Sequence, residues 1–430
     1  MGYTMLRRLS VPPFDALTPH LPAHAVAEVE VRREVEQIIA DVTARGDAAL
    51  VEHTTRVDGV TLTPAQWEVP REGWAEAFER LPPLLQGALA EATRRVKDYH
   101  DRHHDGGYRY TLLDGTQLGM RVSPIERVGL YVPGGSTSFP SSVIMNAIPA
   151  KVAGVREVVA VTPPGGATDA VLAACLLAGV DRLFRVGGTP AIAALTFGTA
   201  TIPRVDKIVG TGSRWVAEAK RQLTGLVGID MVSGPTEVLI IADHTASPTH
   251  VAADLVAQAE HDETASAWCV TPSPALADAL PAALEALLAR NPRAAVARAA
   301  LERHGLLVVV PDLETACRVS DRRAPEHLEL LVADAEKWAE RIHNAGAIYL
   351  GDSTPEPVAD YYAGPSHVLP TAGTARFASA LGVHDFIKRT SIIRYSRAAL
   401  ERDGPAIAAF AEAEGLPGHA EAIRIRLRKE

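Results

Sequence analysis

The sequence of 430 residues has little cysteine, and each of its three cysteines lies alone in an apolar segment. We therefore predict that Cys175, Cys269 and Cys317 are buried free thiols, without a disulfide framework or a cysteine-based metal site. No uninterrupted apolar run approaches the roughly 20 residues that a membrane-spanning helix needs. The N-terminal "MGYTMLRRLSVPPFD" has no apolar signal region, and Leu6 breaks the myristoylation pattern. We expect a cytoplasmic protein without a membrane partner.

Positive charge is also scarce, since the formal net charge is −9 at pH 7. A protein that binds the phosphates of nucleic acids needs a basic surface, so we expect no nucleic-acid partner. The C-terminal "RIRLRKE" is locally basic. Its alternation of charged and apolar residues predicts a strand or arm with one solvated face.

Apolar residues, in contrast, make up 47% of the chain, which is enough to bury a large core. From Val128 onward, short apolar strands alternate with helical patterns; the strands are "VGLYV", "EVVAV", "RLFRVG", "VDKIVG", "EVLIIAD", "SAWCV" and "LLVVV". This alternation predicts βαβ units with parallel sheets. The number of strands indicates an α/β protein with two Rossmann-like parallel-sheet domains, plus small N- and C-terminal helical or arm segments.

Three glycine-rich turns follow strands of this region: "YVPGGSTSFPSS", "RVGGTPAIAAL" and "VGTGSRWVAEAK". Glycine lets backbone amides approach a phosphate, and a helix N-terminus favours negative charge. The dinucleotide fingerprint is incomplete, because Gly210 and Gly212 begin it but Trp215 occupies the place of the third glycine. Each turn alone is an ordinary tight connection, whereas three turns at one sheet edge favour a nucleotide site.

Polar residues are concentrated in four further segments. In "DLVAQAEHDETA", Gln258 and His261 lie three residues apart, so both can converge on one point. "RAPEHLELL" places Glu326 and His327 at the start of a predicted helix. The remaining candidates are Asp360 and His367 in "VADYYAGPSHVLP", and Glu414 and His419 in "AEAEGLPGHAEA". Any one of them also has a structural explanation.

The cluster "HDRHH", with His100, His103 and His104, places two histidines four residues apart. This spacing is compatible with a metal site, but the cluster ends a charged helical segment and precedes "DGG". An exposed helix terminus is the stronger interpretation.

These segments together resemble the histidinol dehydrogenase family along essentially the whole chain. The matching stretches are "YVPGGSTSFPSSVIMNAIPAKVAGV", "IPRVDKIVG", "QAEHD", "RAPEHLEL", "DYYAGPSHVLPTAGTARF" and "EGLPGH". The resemblance implies one Zn²⁺ per subunit, held by Gln258, His261, Asp360 and His419. Imidazole and oxygen ligands suit Zn²⁺, although glutamine is an unusual donor.

The resemblance also implies the reaction, in which L-histidinol is oxidised through L-histidinal to L-histidine with two NAD. Zinc has no redox chemistry, so the separate oxidant NAD is required. In this interpretation His327 is the base for the alcohol proton, and Glu326 activates the water that adds to the aldehyde. The implied substrate contacts are Thr236, Gln258, His261, His327, Asp360, His367, Glu414 and His419. Tyr131 is the implied NAD contact.

The family forms a homodimer in which the C-terminal domain reaches the partner's active site, so Glu414 and His419 are expected to act across the dimer. We accordingly predict four segments. They are an N-terminal arm (1–24), a metal and catalytic α/β domain (25–129 with 237–380), a nucleotide-binding α/β domain (130–236) and a C-terminal domain (381–430).

The chain departs from the family pattern at three places. Thr189, Pro190 and Ala191 stand where the family has Ala-Gln-Ala, and the turn from Gly210 to Ser213 replaces Gly-Pro-Gly-Asn. Each lost side-chain hydrogen bond costs about 1 kcal/mol, so weaker NAD binding is expected. At the third place, Thr236 replaces serine but keeps its hydroxyl.

Three alternatives remain open at this stage. The first is a zinc- and NAD-dependent alcohol dehydrogenase of the same superfamily that acts on another substrate, such as sulfopropanediol. "VADYY" with Asp360, together with Glu414 and His419, favours the imidazole substrate instead. The second is a zinc hydrolase with Glu326 as its base, and the third is a non-catalytic scaffold.

Overall fold

The structure is a computed structural model that describes residues 6–10, 29–103, 105–134 and 138–428. The chain forms two compact units. The first comprises Met1–Arg102 and Glu126–Asp385, and the second comprises His103–Ile125 and Phe386–Glu430. Within the described ranges, no helix combines the length and the hydrophobicity that crossing a bilayer requires.

The described strands are β1 (Arg7–Ser10), β2 (Tyr108–Thr111), β3 (Gln117–Pro124), β4 (Arg127–Tyr131), β5 (Glu157–Val161), β6 (Arg182–Phe184), β7 (Lys207–Val209), β8 (Gly228–Ile229), β9 (Glu237–Ala242), β10 (Ser266–Thr271), β11 (Leu306–Val309), β12 (His327–Leu331), β13 (Ala347–Leu350) and β14 (Ile387–Arg394). The described α-helices are α1 (Val29–Arg45), α2 (Asp47–Asp58), α3 (Trp74–Arg80), α4 (Pro83–His100), α5 (Pro140–Val152), α6 (Asp169–Ala178), α7 (Gly188–Phe197), α8 (Arg214–Leu223), α9 (Pro248–Ala259), α10 (Pro274–Leu288), α11 (Ala294–His304), α12 (Leu313–Arg323), α13 (Ala335–Ala339), α14 (Glu356–Tyr361), α15 (Arg397–Ala413) and α16 (Pro417–Leu427).

The larger sheet of the first unit has six parallel strands in the order β1-β11-β10-β9-β12-β13. Its strands are apolar on both faces because helices cover both sides. Residues such as Val238 and Ile240 pack against α9, α10 and α11. Leu239 and Ile241 point the other way, towards α12 and α13. Apart from the edge strand β1, the order is that of a Rossmann half, with β9 as the first strand.

The smaller sheet of the first unit has five parallel strands in the order β6-β5-β4-β7-β8. This is the same Rossmann order, with β4 as the first strand. Helices α1, α7 and α8 share a core with this sheet that includes Val35, Ile192 and Ile208. Helices α5 and α6 also pack on its strands or on each other. The predicted α/β class with two Rossmann-like sheets is confirmed.

One packing relation differs from the predicted domain division. We assigned residues 25–129 to the same domain as the larger sheet, but α1 and α2 contribute Val31, Val42 and Leu50 to the core of the smaller sheet. The apolar stripe of an amphipathic helix shows that it packs on one side, and it does not identify the partner. Of the predicted arm, only residues 6–10 are described; residues 7–10 form the edge strand β1.

The second unit combines an antiparallel sheet, in the order β14-β3-β2, with the helices α15 and α16. The two helices approach closely, since a Cβ at Gly404 would lie 2.6 Å from Leu427 Cδ1. The prediction of a strand or arm for "RIRLRKE" is wrong for most of the segment, because Pro417–Leu427 is helical. Ile423 and Leu427 lie four residues apart, so a helix places both against Gly404.

The predictions for cysteine and for the histidine cluster have different outcomes. Cys175, Cys269 and Cys317 are free and buried, as predicted. Helix α4 ends at His100, also as predicted, but the terminus is not fully exposed because His100 is buried. His103 is exposed. His104 lies outside the described residues.

A buried ion pair fixes the turn that follows β7. The Lys220 ammonium donates to the Asp230 carboxylate and to the carbonyl oxygen of Gly210, at 2.9 Å from the latter. The other Asp230 oxygen accepts from the Gly210 amide at 2.8 Å. Removing one partner of a buried pair leaves an uncompensated charge. The pair therefore stabilises both α8 and the glycine turn.

We predict that Lys220→Met lowers the free energy of unfolding by about 3–5 kcal/mol, because the Asp230 carboxylate then stays buried without its counter-ion. The matched control is Arg303→Met, which breaks an exposed pair with Glu263 and should cost less than about 1 kcal/mol. Urea denaturation of both variants measures the difference. Equal losses would contradict the assigned role of the pair.

Candidate active site

The pairing of β9 with β12 positions the two predicted catalytic side chains. These strands run parallel, with His327 opposite Val238. The peptide groups of Glu237 bind both neighbours: its amide donates to Glu326 Oε2 at 2.9 Å, and its carbonyl accepts from His327 Nδ1 at 3.0 Å. We expected a helix at this point, and the structure has a strand that begins at His327.

The geometry of His327 determines which ring nitrogen has the free lone pair. A backbone carbonyl only accepts hydrogen bonds, so Nδ1 carries the proton and neutral His327 has its lone pair on Nε2. Nε2 is buried, has no hydrogen-bond partner among the described residues, and lies 4.0 Å from Glu356 Oε1 and from Asp360 Oδ1. The ring thus presents a proton-accepting atom to a group of acids.

The electrostatic surroundings favour the protonated form of His327. Burial by itself lowers the pKa of His327, but three neighbouring carboxylates outweigh this effect and raise that pKa to about 9. These carboxylates belong to Glu356, Glu326 and Asp360. A positive charge placed among them would lower the pKa again.

Glu326 is held from two sides and is almost fully buried. The Thr236 hydroxyl lies 2.7 Å from Glu326 Oε2, which also accepts from the Glu237 amide. Burial raises the pKa of Glu326 to about 7. This value suits a carboxylate that takes and returns a proton near neutral pH.

Gln258 lies at the end of α9 with no exposed surface. In the orientation that satisfies both groups of its amide, the nitrogen donates to Glu356 Oε2 at 2.7 Å, and the oxygen lies 2.9 Å from Thr236 Oγ1. The single hydroxyl hydrogen of Thr236 therefore serves either Gln258 or Glu326 at a given moment. Gln258 and Thr236 thus form a row of polar groups between Glu356 and Glu326, and the hydroxyl of Thr236 bonds to one neighbour in the row at a time.

A candidate cation site lies beside this row. His261, Glu356 and Asp360 each bring one potential ligand atom, and these atoms all lie within 4.8 Å of one another. His261 Nδ1 donates to the carbonyl oxygen of Ala257 at 3.1 Å, which leaves the lone pair on Nε2. Metal-binding histidines commonly have their second nitrogen fixed in this way. Nitrogen and carboxylate donors of this kind fit Zn²⁺.

Glu356 is the member that our sequence analysis missed. It is 2% exposed and begins α14, the same short helix that carries Asp360 one turn later. The spacing of four residues in "EPVAD" was the available signal, because it places both carboxylates on one face of a helix. The sequence does not show that α14 returns to the strand that carries His327.

The structure brings most of the predicted site residues together in the first unit. Thr236, Gln258, His261, Glu326, His327 and Asp360 form the contacts described above. His367 is half-buried, and its Nδ1 donates to the carbonyl oxygen of Asp360 at 3.1 Å. Glu414 and His419 belong to the second unit, near the junction of α15 and α16, and both are exposed. Their roles stay predictions.

A buried arginine supports the peptide on which the catalytic pair depends. Arg323, at the end of α12, donates to Glu237 Oε2 at 2.9 Å and stacks over the ring of Trp268 at 3.9 Å. Both charged side chains are nearly inaccessible. Arg323 thus fixes the side chain of Glu237, the residue whose backbone amide and carbonyl hold Glu326 and His327.

Two of the glycine turns meet at Tyr131, the predicted cofactor contact. Its hydroxyl accepts from the Gly188 amide at 3.1 Å. A Cβ at Gly212 would lie 2.9 Å from the tyrosine ring, so only glycine allows this approach. In the third turn, residues 135–137 lie outside the described residues. The contact of Tyr131 with a cofactor stays a prediction.

A cavity of about 660 Å³ is lined by the glycine turn after β7 and by the segment that leads into β9. Gly212, Ser213 and Trp215 line one side, and Thr236 and Asp262 line the other. Its volume falls within the roughly 300–1,000 Å³ that is usual for small-molecule sites. A ligand in this cavity would contact the N-terminus of α8 and reach Thr236, which touches Glu326.

The raised pKa values predict how a bound cation changes stability with pH. The folded-state pKa is raised for both Glu326 and His327, to about 7 and about 9. Their stabilising contribution is present below the unfolded-state pKa and is lost as pH rises through the folded value. The metal-free protein should therefore lose stability between pH 6 and pH 9, and a bound cation should offset the loss.

We expect the difference in Tm between Zn²⁺-loaded and metal-free protein to increase from pH 6 to pH 9. Thermal unfolding after chelation, with and without added Zn²⁺, measures this difference. Asp360→Asn should show a smaller increase, because one carboxylate is missing. A difference in Tm that stays constant or shrinks with rising pH would contradict the electrostatic argument.

Comparisons with known proteins agree along nearly the whole chain. The sequence model of the family described as histidinol dehydrogenase matches residues 22–427. The histidinol dehydrogenase of Dechloromonas aromatica (strain RCB) is 49% identical over 418 residues, which cover 96% of this chain and 96% of that protein. The enzyme of Pseudomonas aeruginosa is 48% identical over 431 residues, with 99% and 98% covered. The crystal structure of histidinol dehydrogenase from Elizabethkingia anophelis superposes with a TM-score of 0.93 at 32% identity, covering 99% of both chains.

Proposed function

From the premise that the chain belongs to the histidinol dehydrogenase family, we propose that it oxidises L-histidinol through L-histidinal to L-histidine, with Zn²⁺ and two NAD. The observation that carries this proposal is the buried Nε2 of His327, which faces the acids of a candidate cation site. The direct test is NADH formation by the purified protein on addition of L-histidinol. A protein that forms no NADH with saturating NAD and Zn²⁺ would overturn the proposal.

The residues in the first unit that would hold Zn²⁺ are Gln258, His261 and Asp360, with Glu356 beside them. Gln258 would do so in the opposite amide orientation, in which its nitrogen donates to Thr236 Oγ1 at 2.9 Å and its oxygen faces Glu356. The fit rests on the grouping of His261, Glu356 and Asp360 and on the oriented imidazole of His261. Bound Zn²⁺ would orient the substrate, polarise its oxygen and offset the negative field that raises the pKa of His327.

His327 is the proposed base for the substrate hydroxyl. Neutral His327 has its lone pair on Nε2, because Nδ1–H donates to the Glu237 carbonyl. Nε2 has no competing hydrogen bond among the described residues, so it can accept the hydroxyl proton when the alcohol is oxidised. The backbone contact fixes the ring and prevents the other nitrogen from taking this role.

Glu326 is the proposed base for the second oxidation, in which water must add to the aldehyde. Its carboxylate is held by the Glu237 amide and faces the hydroxyl of Thr236. When Thr236 turns its hydrogen towards Gln258, one Glu326 oxygen keeps a free lone pair that can take a proton from water. The two bases sit on adjacent residues, so the aldehyde can be oxidised without leaving the site.

The cavity of about 660 Å³ is the proposed NAD site. Bound NAD would accept a hydride in each half of the reaction. The N-terminus of α8 and the amide of Ser213 favour the negative charge of a pyrophosphate. Pro190 and Ser213 stand where the family pattern has glutamine and asparagine. Proline offers no side-chain hydrogen bond, and serine keeps only a hydroxyl on a shorter side chain. This supports weaker cofactor binding than the family pattern implies.

We also propose a cytoplasmic homodimer in which the partner supplies the last site residues. The family resemblance implies that the partner subunit's His419 completes the zinc ligands and that the partner subunit's Glu414 contacts substrate. The exposure of both side chains supports a role outside the second unit itself.

Replacing Glu326 should separate the two oxidations. We predict that Glu326→Gln forms about one NADH per histidinol consumed, whereas the parent forms two. The reason is that the amide cannot activate water, and a general base of this kind raises the rate of its step roughly 10²–10⁴-fold. Trapping with semicarbazide should recover the aldehyde. The control is Glu263→Gln, an exposed acid paired with Arg303, which should keep two NADH per histidinol. Two NADH per histidinol from Glu326→Gln would assign the water to another base.

Mixing two inactive variants tests the shared site. His327→Ala and His419→Ala chains should each be inactive. After joint unfolding and refolding at equal amounts, about half of the dimers are mixed and each contains one intact site, because every site in a two-fold dimer takes the same parts from each chain. About one quarter of parent activity is expected. No recovery would show that each chain builds its site alone.

A further inference from the structure

Two buried carboxyl groups behind the candidate site have no place in the chemistry above. Asp254 is 8% exposed and Glu329 is 1% exposed, and the two carboxyl groups lie within hydrogen-bonding reach of each other. A hydrogen bond between two carboxyl groups needs a proton on one of them. Burial raises the pKa of both residues, which favours that proton. Glu329 Oε2 has no other hydrogen-bond partner among the described residues.

The two acids join the elements that carry the site. Asp254 lies on α9 one turn before Gln258, so the two side chains share a helix face. Glu329 lies on β12 two residues after His327, so these two side chains share a face of the sheet. The contact between Asp254 and Glu329 therefore sets how far α9 lies from the strand that carries His327.

Glu329 also holds a third element. Its Oε1 accepts from the backbone amide of Glu356 at 2.9 Å. Glu356 is the first residue of α14, whose amide has no acceptor inside the helix. A carboxyl oxygen at this position fixes the start of α14, and Asp360 follows one turn later on the same helix.

We propose that Asp254 and Glu329 are a positioning pair that sets the relative placement of Gln258, His327 and Asp360, and thereby the geometry of the cation site. This inference rests on the proposed function in that it takes Gln258 and Asp360 as cation ligands. The pair touches neither substrate nor cation. It acts through α9, β12 and α14.

Stability alone does not explain two acids at this place. Replacing a buried polar pair by apolar residues of similar volume is often neutral or stabilising. An apolar pair would fill the space, but it would leave the Glu356 amide without an acceptor and would not define the spacing of α9 and β12. The hydrogen bonds have fixed lengths and directions, so they do define it.

The test compares polar and apolar replacements in the full-length chain. Glu329→Gln keeps an acceptor for the Glu356 amide, a donor for the Asp254 carboxylate and one negative charge in the pair. Glu329→Met removes all three. We expect Zn²⁺ affinity, measured by competition with a chromogenic chelator, to stay within about threefold of the parent for Glu329→Gln. For Glu329→Met it should fall about 10–100-fold, as is usual when a group supporting the ligands is lost.

The visible absorption spectrum of the Co²⁺-substituted protein provides a readout of ligand geometry that does not depend on activity. We expect the spectrum of Glu329→Gln to match that of the parent and the spectrum of Glu329→Met to shift. Because Asp254 is the other member of the pair, Asp254→Asn should keep the parental spectrum and Asp254→Leu should shift it.

A matched control separates positioning from general destabilisation. Asp243 is also buried and lies beyond the opposite end of β9, where its carboxylate accepts from the amides of Thr245 and Ala333. Asp243→Leu should lower Tm without changing Zn²⁺ affinity or the Co²⁺ spectrum.

Two outcomes would overturn the inference. The first is a Glu329→Met protein that loses Tm as Asp243→Leu does but keeps parental Zn²⁺ affinity and spectrum. The second is a Glu329→Gln protein that loses as much affinity as Glu329→Met. Failure of the proposed function would give a different result, namely a parent protein that binds Zn²⁺ tightly but forms no NADH with L-histidinol. In that case the Zn²⁺-binding measurements would still show whether the pair positions the ligands.

Discussion

The candidate site depends on the backbone of one residue, Glu237, at the start of the central strand β9. Its amide holds Glu326 and its carbonyl holds His327. Because β9 and β12 pair in parallel through the middle of the larger sheet, this register cannot shift without breaking the pairs on both sides. The Arg323 side chain fixes the same residue from the other direction. The two proposed bases therefore owe their positions to the fold itself and not to flexible side chains.

This arrangement has an electrostatic consequence. Glu326, Glu356 and Asp360 surround His327, and their charges raise its pKa in the absence of a cation. An imidazole that stays protonated cannot act as a base, so the acids alone would make a poor catalyst. A divalent cation among the same acids removes the conflict, because it offsets their field at His327. The acidic surroundings of His327 therefore support the proposed cation site.

The sequence predicted the parallel strands and the free thiols because each depends on local pattern, such as the apolar run of β9 or the isolated Cys269. The predicted convergence of Gln258 and His261 assumed one helix for both, but α9 ends at Ala259 and His261 lies beyond it; the convergence stays a prediction. The sequence could not predict that Glu356 returns to His327, because that contact depends on the path of α14 across the sheet. The prediction of a helix at His327 was wrong, also because of a long-range contact. The short segment "HLELL" is compatible with a helix or a buried strand, and its pairing with β9 makes it a strand.

The location of the site follows from how the two sheets are connected. Ligands of open α/β sheets usually bind at the carboxyl ends of the strands, and the glycine turns of the smaller sheet lie at these ends. His327, however, begins its strand, so the catalytic residues lie at the amino ends in the larger sheet. The segment from Asp230 to Thr236 joins β8 to β9, and it leads from the glycine turn of the smaller sheet to the amino end of β9 in the larger sheet. Lys220 holds Asp230, the first residue of this segment, beside the glycine turn, and Glu326 contacts Thr236, its last residue. Residues 232–236 line the cavity between these anchors, so the carboxyl edge of one sheet and the amino edge of the other are both close to a single cavity.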